Sequence, residues 1–134
     1  MPRFAALLLL LTLPLQASCV VAVAGVGAAI GIWAYDDASD DSGEIILDAT
    51  PDRVYRGAEA VARERGLEVQ TYPGPMRVQF DAEDYNARFE IFLVEGREDV
   101  ARLRVSARSG LRGRPEIAEE LGLAVRETLK AWGH

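Results

Sequence analysis

Cysteine and histidine are almost missing from this chain of 134 residues, which has one of each. A lone histidine excludes a two-histidine metal site within one chain. That histidine, His134, stands at the C-terminal position, where chains are commonly frayed, so we expect no His-based catalytic triad. Ser106 and Ser109 have no evident base beside them, and the sequence contains no G-x-S-x-G pattern. We therefore predict no catalytic residue, no metal and no cofactor, and we expect a protein that is not an enzyme.

Positive charge is also scarce, because 15 lysines and arginines face 21 aspartates and glutamates, which gives a net charge of −6. An acidic protein is a poor ligand for nucleic acid or for anionic lipid through its overall field. We therefore expect no nucleic-acid partner. Contact with a membrane should come from an anchor and not from a basic surface.

The N-terminal run is the most informative stretch of the sequence. Arg3 supplies a short basic region, Phe4 to Leu15 form an uncharged apolar region, and small residues precede Cys19. This order predicts a secretory signal peptide over residues 1–18. Small residues followed by cysteine resemble the lipobox of bacterial lipoproteins, although Gln16 stands where that motif usually has leucine. The resemblance implies that the thiol of Cys19 carries diacylglycerol and anchors the mature chain to the membrane.

Two alternatives to lipidation remain for the N-terminal segment. No residue from Phe4 to Tyr35 is charged, and about 20 apolar residues suffice to cross a bilayer, so an uncleaved membrane helix is one alternative. The other is soluble secretion after cleavage at the A-x-A sequence of residues 22–24. Lipidation has one advantage, because an unmodified Cys19 would be a stray thiol in an oxidising envelope. Val20 is not the aspartate that marks inner-membrane retention in some bacteria, so the resemblance implies the periplasmic side of the outer membrane.

Residues 19–43 are predicted to form a tether. Its first part is small, apolar and rich in alanine and glycine, which favours a flexible segment near the membrane surface. Trp33 and Tyr35 at the end of this part suit the membrane interface, where amphipathic rings settle. The alternative is a membrane-anchored protein that self-associates through Gly27 and Gly31, which form a G-x-x-x-G pattern.

An acidic segment from Asp36 to Gly43 completes the predicted tether. Clustered carboxylates suggest calcium, but the spacing does not match an EF-hand loop. A charge run of this kind is usually solvated, so we predict a spacer. The folded domain is then predicted over residues 44–134.

Hydrophobic periodicity predicts the elements of that domain. Apolar residues at helical spacing, with a proline first and Gly66 after the end, predict a helix from Pro51 to Arg65. A second helix is predicted to begin at Pro115. Alternating patterns predict five strands, over residues 44–48, 67–72, 76–81, 86–95 and 100–108. The order β-α-β-β-β-β-α predicts an α+β fold, with a single antiparallel sheet and two helices packed on one face.

Several short features occur together in this chain. They are Cys19, the alanine- and glycine-rich run that ends in Ala34-Tyr35, the helix after Thr50, and the sequence RVSARSG from Arg104 to Gly110. Together they resemble a family of small uncharacterised bacterial lipoproteins, which is defined as a domain of unknown function. The resemblance implies attachment to the cell envelope and brings no activity with it. We therefore expect a lipid-anchored, non-enzymatic binding or structural module.

Three arginines of the last predicted strand, Arg102, Arg104 and Arg108, share one face, because alternate strand residues point the same way. In an acidic protein this row is our candidate contact for an anionic partner, such as an acidic glycan, a lipid phosphate or an acidic envelope protein. The alternative is that these arginines pair with glutamates of neighbouring strands, Glu90 and Glu68.

Overall fold

The computed structural model describes residues 30–133 of the chain. The predicted signal peptide, the lipidation of Cys19 and the position of His134 lie outside these residues. Within them, neither helix combines the length and the apolar character that crossing a bilayer requires. The compact folded unit begins at Gly31.

Residues 30–133 form seven strands and two helices. In chain order the elements are β1 (Ala34–Tyr35), β2 (Ser42–Leu47), α1 (Pro51–Arg65), β3 (Glu68–Tyr72), β4 (Arg77–Asp81), β5 (Asn86–Val94), β6 (Arg97–Ser109), β7 (Arg112–Gly113) and α2 (Pro115–Trp132). The first helix has the predicted bounds, and all five predicted strands are present with slightly shifted ends. The patterns do not predict β1 or β7, which are two residues long each.

All seven strands belong to one antiparallel sheet with the order β1-β2-β6-β5-β4-β3, and β7 pairs with β6. Both helices contact each other and the sheet. The structure confirms the predicted α+β class with a single antiparallel sheet and two helices. One sheet face is covered by the helices, and the other face is open.

The core lies between the helices and the covered sheet face. Helix α1 buries Val54, Ala58 and Val61. Helix α2 buries Leu121 and Val125. These positions are three or four residues apart, as the apolar stripe of an amphipathic helix requires. Each helix begins with proline, whose missing N–H costs nothing at a helix start.

Side chains alternate along the central strands as predicted. On β6, Leu103 and Val105 are fully buried, whereas Arg104 between them reaches the open face. Alternation along β5 also predicts a buried Leu93, and that prediction is wrong, because its side chain is 75% exposed. The pairing of β5 with β6 shifts register between Leu93 and Val94, so the regular alternation ends there.

The acidic segment, predicted to be a solvated spacer, is part of the folded unit. Strand β2 begins inside it at Ser42, which is 1% exposed. The carboxylates of Asp36 and Asp41 bind Arg104 and Arg108 of β6. The interpretation as a spacer is wrong for these residues, because the fold provides a positive partner for each of the two carboxylates.

The segment before β1 is fastened to the fold by Trp33. Its indole ring packs between Gly43 of β2 and Gly122 of α2. A Cβ atom would lie 2.6 Å from Trp33 Cε2 at Gly43, and 2.5 Å from Trp33 Cζ3 at Gly122. The Nε1 atom of Trp33 is buried without a hydrogen-bond partner among the described residues, so shape complementarity holds the ring. The structure therefore places Trp33 against the protein core and not at a membrane interface.

Hydrogen bonds hold the same segment at both ends. The N–H of Gly31 donates to the carbonyl of Ile46 over 2.7 Å, and Arg126 Nη1 donates to the carbonyl of Gly31 over 2.7 Å. The hydroxyl of Tyr35 donates to the carboxylate of Glu119 on α2. We call residues 31–35 the strap, because they bind both β2 and α2.

The fit of Trp33 against Gly122 predicts that the effect of Gly122→Ala on the free energy of unfolding changes sign when Trp33 is removed. Gly122→Ala should destabilise the protein by about 1–3 kcal/mol, because the new methyl group overlaps the indole ring. In a Trp33→Ala background the same change should stabilise by about 0.5–1 kcal/mol, since alanine is the better helix former once the space is empty. Urea unfolding followed by circular dichroism measures both values. An equal cost of Gly122→Ala in the two backgrounds would show that the ring does not occupy this site.

Candidate binding groove on the open sheet face

A groove of about 480 Å³ crosses the open face of the sheet. Its volume lies within the range of sites that bind small molecules, about 300–1,000 Å³. Strands β2 to β6 supply its lining, and most of the lining side chains are polar. The groove is therefore the candidate functional site.

Strand pairing aligns five polar side chains into one line across the groove. Direct Cα partners run from β3 through β4, β5 and β6 to β2. We call this line the central row, and its members are Gln70, Gln79, Arg88, Ser106 and Ser42. Neighbouring strands lie about 4.8 Å apart, so the row spans roughly 19 Å.

Two further lines of side chains flank the central row. On one side, Glu90 of β5 pairs with Arg104 of β6. On the other side, Asp81 of β4 pairs with Asn86, and Asn86 pairs with Arg108. Charged groups of both signs therefore border a row that carries one charge, on Arg88.

Two of the three predicted arginines lie in the groove, but the acidic segment already holds both. Arg104 Nη2 donates to Asp36 Oδ2 over 2.8 Å. Arg108 Nη1 donates to Asp41 Oδ2 over 2.8 Å, and its Nη2 donates to the carbonyl of Leu111 over 2.8 Å. Pairing therefore occurs with aspartates from before β2 and not with the glutamates of neighbouring strands that the alternative predicts.

Arg102, the third predicted contact residue, lies beyond the groove lining. Its guanidinium stands 4.9 Å from the ring centre of Phe92, and its Nε is 3.6 Å from Glu44 Oε2. A cation over an aromatic face is stabilised by the ring quadrupole. Arg104 and Arg108 therefore line the groove, whereas Arg102 lies against Phe92 and Glu44.

Arg88 has the most available positive charge in the groove. Its nearest carboxylate oxygen, on Glu90, is 3.6 Å from Nη1, and 48% of its side chain is exposed. Among the described residues, no hydrogen bond engages the side chains of Gln79, Asn86 or Ser106. The alternation of side chains along the strands is enough to place Arg88 and these three residues on the open face. It does not show that they lie side by side, because register depends on pairing between distant strands.

Asp41, one of the three carboxylates that line the groove, is held in its ionised form. The hydroxyl of Ser39 and then the guanidinium of Arg108 hold the pKa of Asp41 below its ordinary value of 3.8. A carboxylate held ionised in this way cannot act as a general acid near neutral pH. Within residues 30–133 no three acidic, cysteine or histidine side chains come together as a metal site. The arrangement suits reversible hydrogen bonding to a ligand.

No protein-family profile matches the chain, and no curated protein matches it. A solved structure with a similar chain path is the di-domain ARO/CYC BexL from the BE-7585A biosynthetic pathway. The two share 13% sequence identity with a TM-score of 0.47, over 66% of this chain and 45% of that one. This chain therefore spans less than half of the neighbour, and a likeness of this size carries no functional argument. The resemblance to the lipoprotein family stays a prediction.

The ion pair of Asp41 predicts a pH-dependent stability difference. Asp41→Asn should lower the free energy of unfolding by about 1–2 kcal/mol at pH 7, because a charge-assisted hydrogen bond is lost. The pKa of Asp41 is lowered in the folded protein, so its contribution is present above the ordinary value of 3.8 and disappears as the pH falls through the folded pKa. Urea unfolding should therefore show a smaller difference between the two proteins at pH 3 than at pH 7.

Asp37→Asn is the matched control, because Asp37 is an exposed aspartate of the same segment. Its effect should stay within about 0.5 kcal/mol. If both variants lost stability equally, the general negative charge of the segment would account for the effect, and the ion pair with Arg108 would not.

Proposed function

We propose that this protein is a lipid-anchored lipoprotein of the bacterial cell envelope, whose folded unit acts by binding and not by catalysis. The observation that carries the binding role is the solvent-facing polar groove on the uncovered side of the sheet. The anchor is supported by Cys19, which follows a secretory apolar run. The periplasmic side of the outer membrane is the proposed location.

The strap limits how far the folded unit can lie from its anchor. Eleven residues, 20–30, separate Cys19 from Gly31. An extended chain advances at most about 3.6 Å per residue, so this connection spans no more than about 45 Å. A tether that ran to Glu44 would reach about twice as far. The proposed anchor is therefore joined to the folded unit by a shorter connection than the sequence alone predicts.

Gly31 argues against the alternative of a membrane helix that associates through its glycines. A G-x-x-x-G contact needs both glycines on one face of one helix. Gly31 has φ +79°, which is a left-handed and non-helical conformation, and it is hydrogen-bonded to Ile46 and Arg126. It is therefore engaged in the strap and does not fit the helical contact that this alternative requires.

Replacement of the cysteine tests the anchor. Cys19→Ala should abolish incorporation of radiolabelled palmitate and leave an unprocessed precursor, because acylation of the thiol precedes removal of the leader in lipoproteins. Ser18→Ala is the matched control, since it keeps a small residue before the cysteine and should be labelled and processed normally. Removal of the leader that survives Cys19→Ala would contradict the lipid anchor and favour a different cleavage site. A wild-type protein that keeps its leader and takes up no palmitate would contradict it too, and would favour an uncleaved helix.

A further inference from the structure

The groove offers hydrogen-bonding groups of both kinds. An amide side chain presents two N–H donors and a carbonyl acceptor, and a hydroxyl both donates and accepts. Gln79 and Ser106 lie on either side of Arg88 in the central row, and Asn86 borders it. A ligand that satisfies all of these groups must itself donate and accept at closely spaced positions. Sugar hydroxyls do both.

The charges of the lining argue against a strongly charged ligand. Arg88, Arg104 and Arg108 share the lining with three carboxylates, those of Asp41, Asp81 and Glu90, and Asp36 also binds Arg104. A polyanion would gain from Arg88 but would meet the carboxylates of Asp81 and Glu90 within the same groove. A polycation would meet the arginines. The acidic glycan expected from the arginine row alone is thus disfavoured by the structure.

The lining also differs from the centre of a protein–protein interface. Such centres are rich in aromatic anchors that bury large apolar areas. Phe92 is the aromatic residue of the open face that lines the groove, and Arg102 already covers its ring. A polar lining that extends across five strands favours a narrow polar chain over a packed protein surface.

We propose that the groove binds a neutral oligosaccharide that lies across the strands along the central row. Sugar hydroxyls accept hydrogen bonds from Arg88, and they both donate to and accept from the side chains of Gln79 and Ser106. This inference rests on the binding role proposed above and does not depend on the anchor at Cys19.

Calorimetric titration of the full chain in a zwitterionic detergent tests this inference, because a glycoside detergent would compete for the groove. Cellotetraose and fully N-acetylated chitotetraose are the neutral probes, and tetragalacturonate is the acidic probe. At least one neutral tetramer should bind, and more tightly than the acidic one. Arg88→Ala should weaken that binding about tenfold, and Gln79→Ala or Ser106→Ala about threefold, as expected for charged and neutral hydrogen bonds.

Arg63→Ala is the matched control, because Arg63 lies on α1 and pairs with Glu59 away from the groove. It should leave the affinity unchanged, and circular dichroism should show all variants folded. Binding of the acidic tetramer alone, binding that survives Arg88→Ala and Gln79→Ala, or no binding to any tetramer would each overturn the inference. Protection of the central row by an envelope protein, with no saccharide binding, would assign the groove to a protein partner.

The two proposals fail separately. An acylated protein that binds neither neutral tetramer would support the lipid anchor and contradict the saccharide-binding inference. A soluble and unacylated protein that binds a neutral tetramer through the central row would contradict the lipid anchor and support the saccharide-binding inference.

Discussion

The packing of both helices on one face of a single sheet determines the rest of this structure. Because strand side chains alternate, each strand must be apolar toward the helices and is free to be polar on the other side. On β6 this gives buried Leu103 and Val105 beside open-face Arg104 and Ser106. The covered face supplies the buried core, and the uncovered face carries polar and charged side chains. The groove follows from this division.

The N-terminal part of the folded unit shapes that uncovered face. Trp33 fits between two glycines and fastens the strap to β2 and α2. The chain then continues through Asp36 and Asp41, whose carboxylates bind Arg104 and Arg108. The segment nearest the proposed anchor thus neutralises the arginines of the groove. A surface that looks basic in the sequence of β6 alone is close to neutral in the folded protein, which changes the kind of ligand it suits.

Sequence patterns predict the local features of this fold and miss those that depend on distant contacts. The bounds of α1 agree because a proline, an apolar stripe and a following glycine all mark them. Strands β1 and β7 are too short to show any alternation. The partners of Arg104 and Arg108 lie more than 60 positions away, so charge alone could not identify them. Trp33 illustrates the same limit, since an aromatic residue after an apolar run suits a membrane interface until Gly43 and Gly122 come together.

The central proposal is that a lipid on Cys19 attaches a binding domain to an envelope membrane. The most direct measurement is mass spectrometry of the N-terminal peptide of the mature protein, isolated from the bacterial envelope. The account predicts a peptide that begins at Cys19 and carries the mass of diacylglycerol on its thiol. An unmodified peptide that begins at Gly25, or an intact leader that begins at Met1, would contradict it.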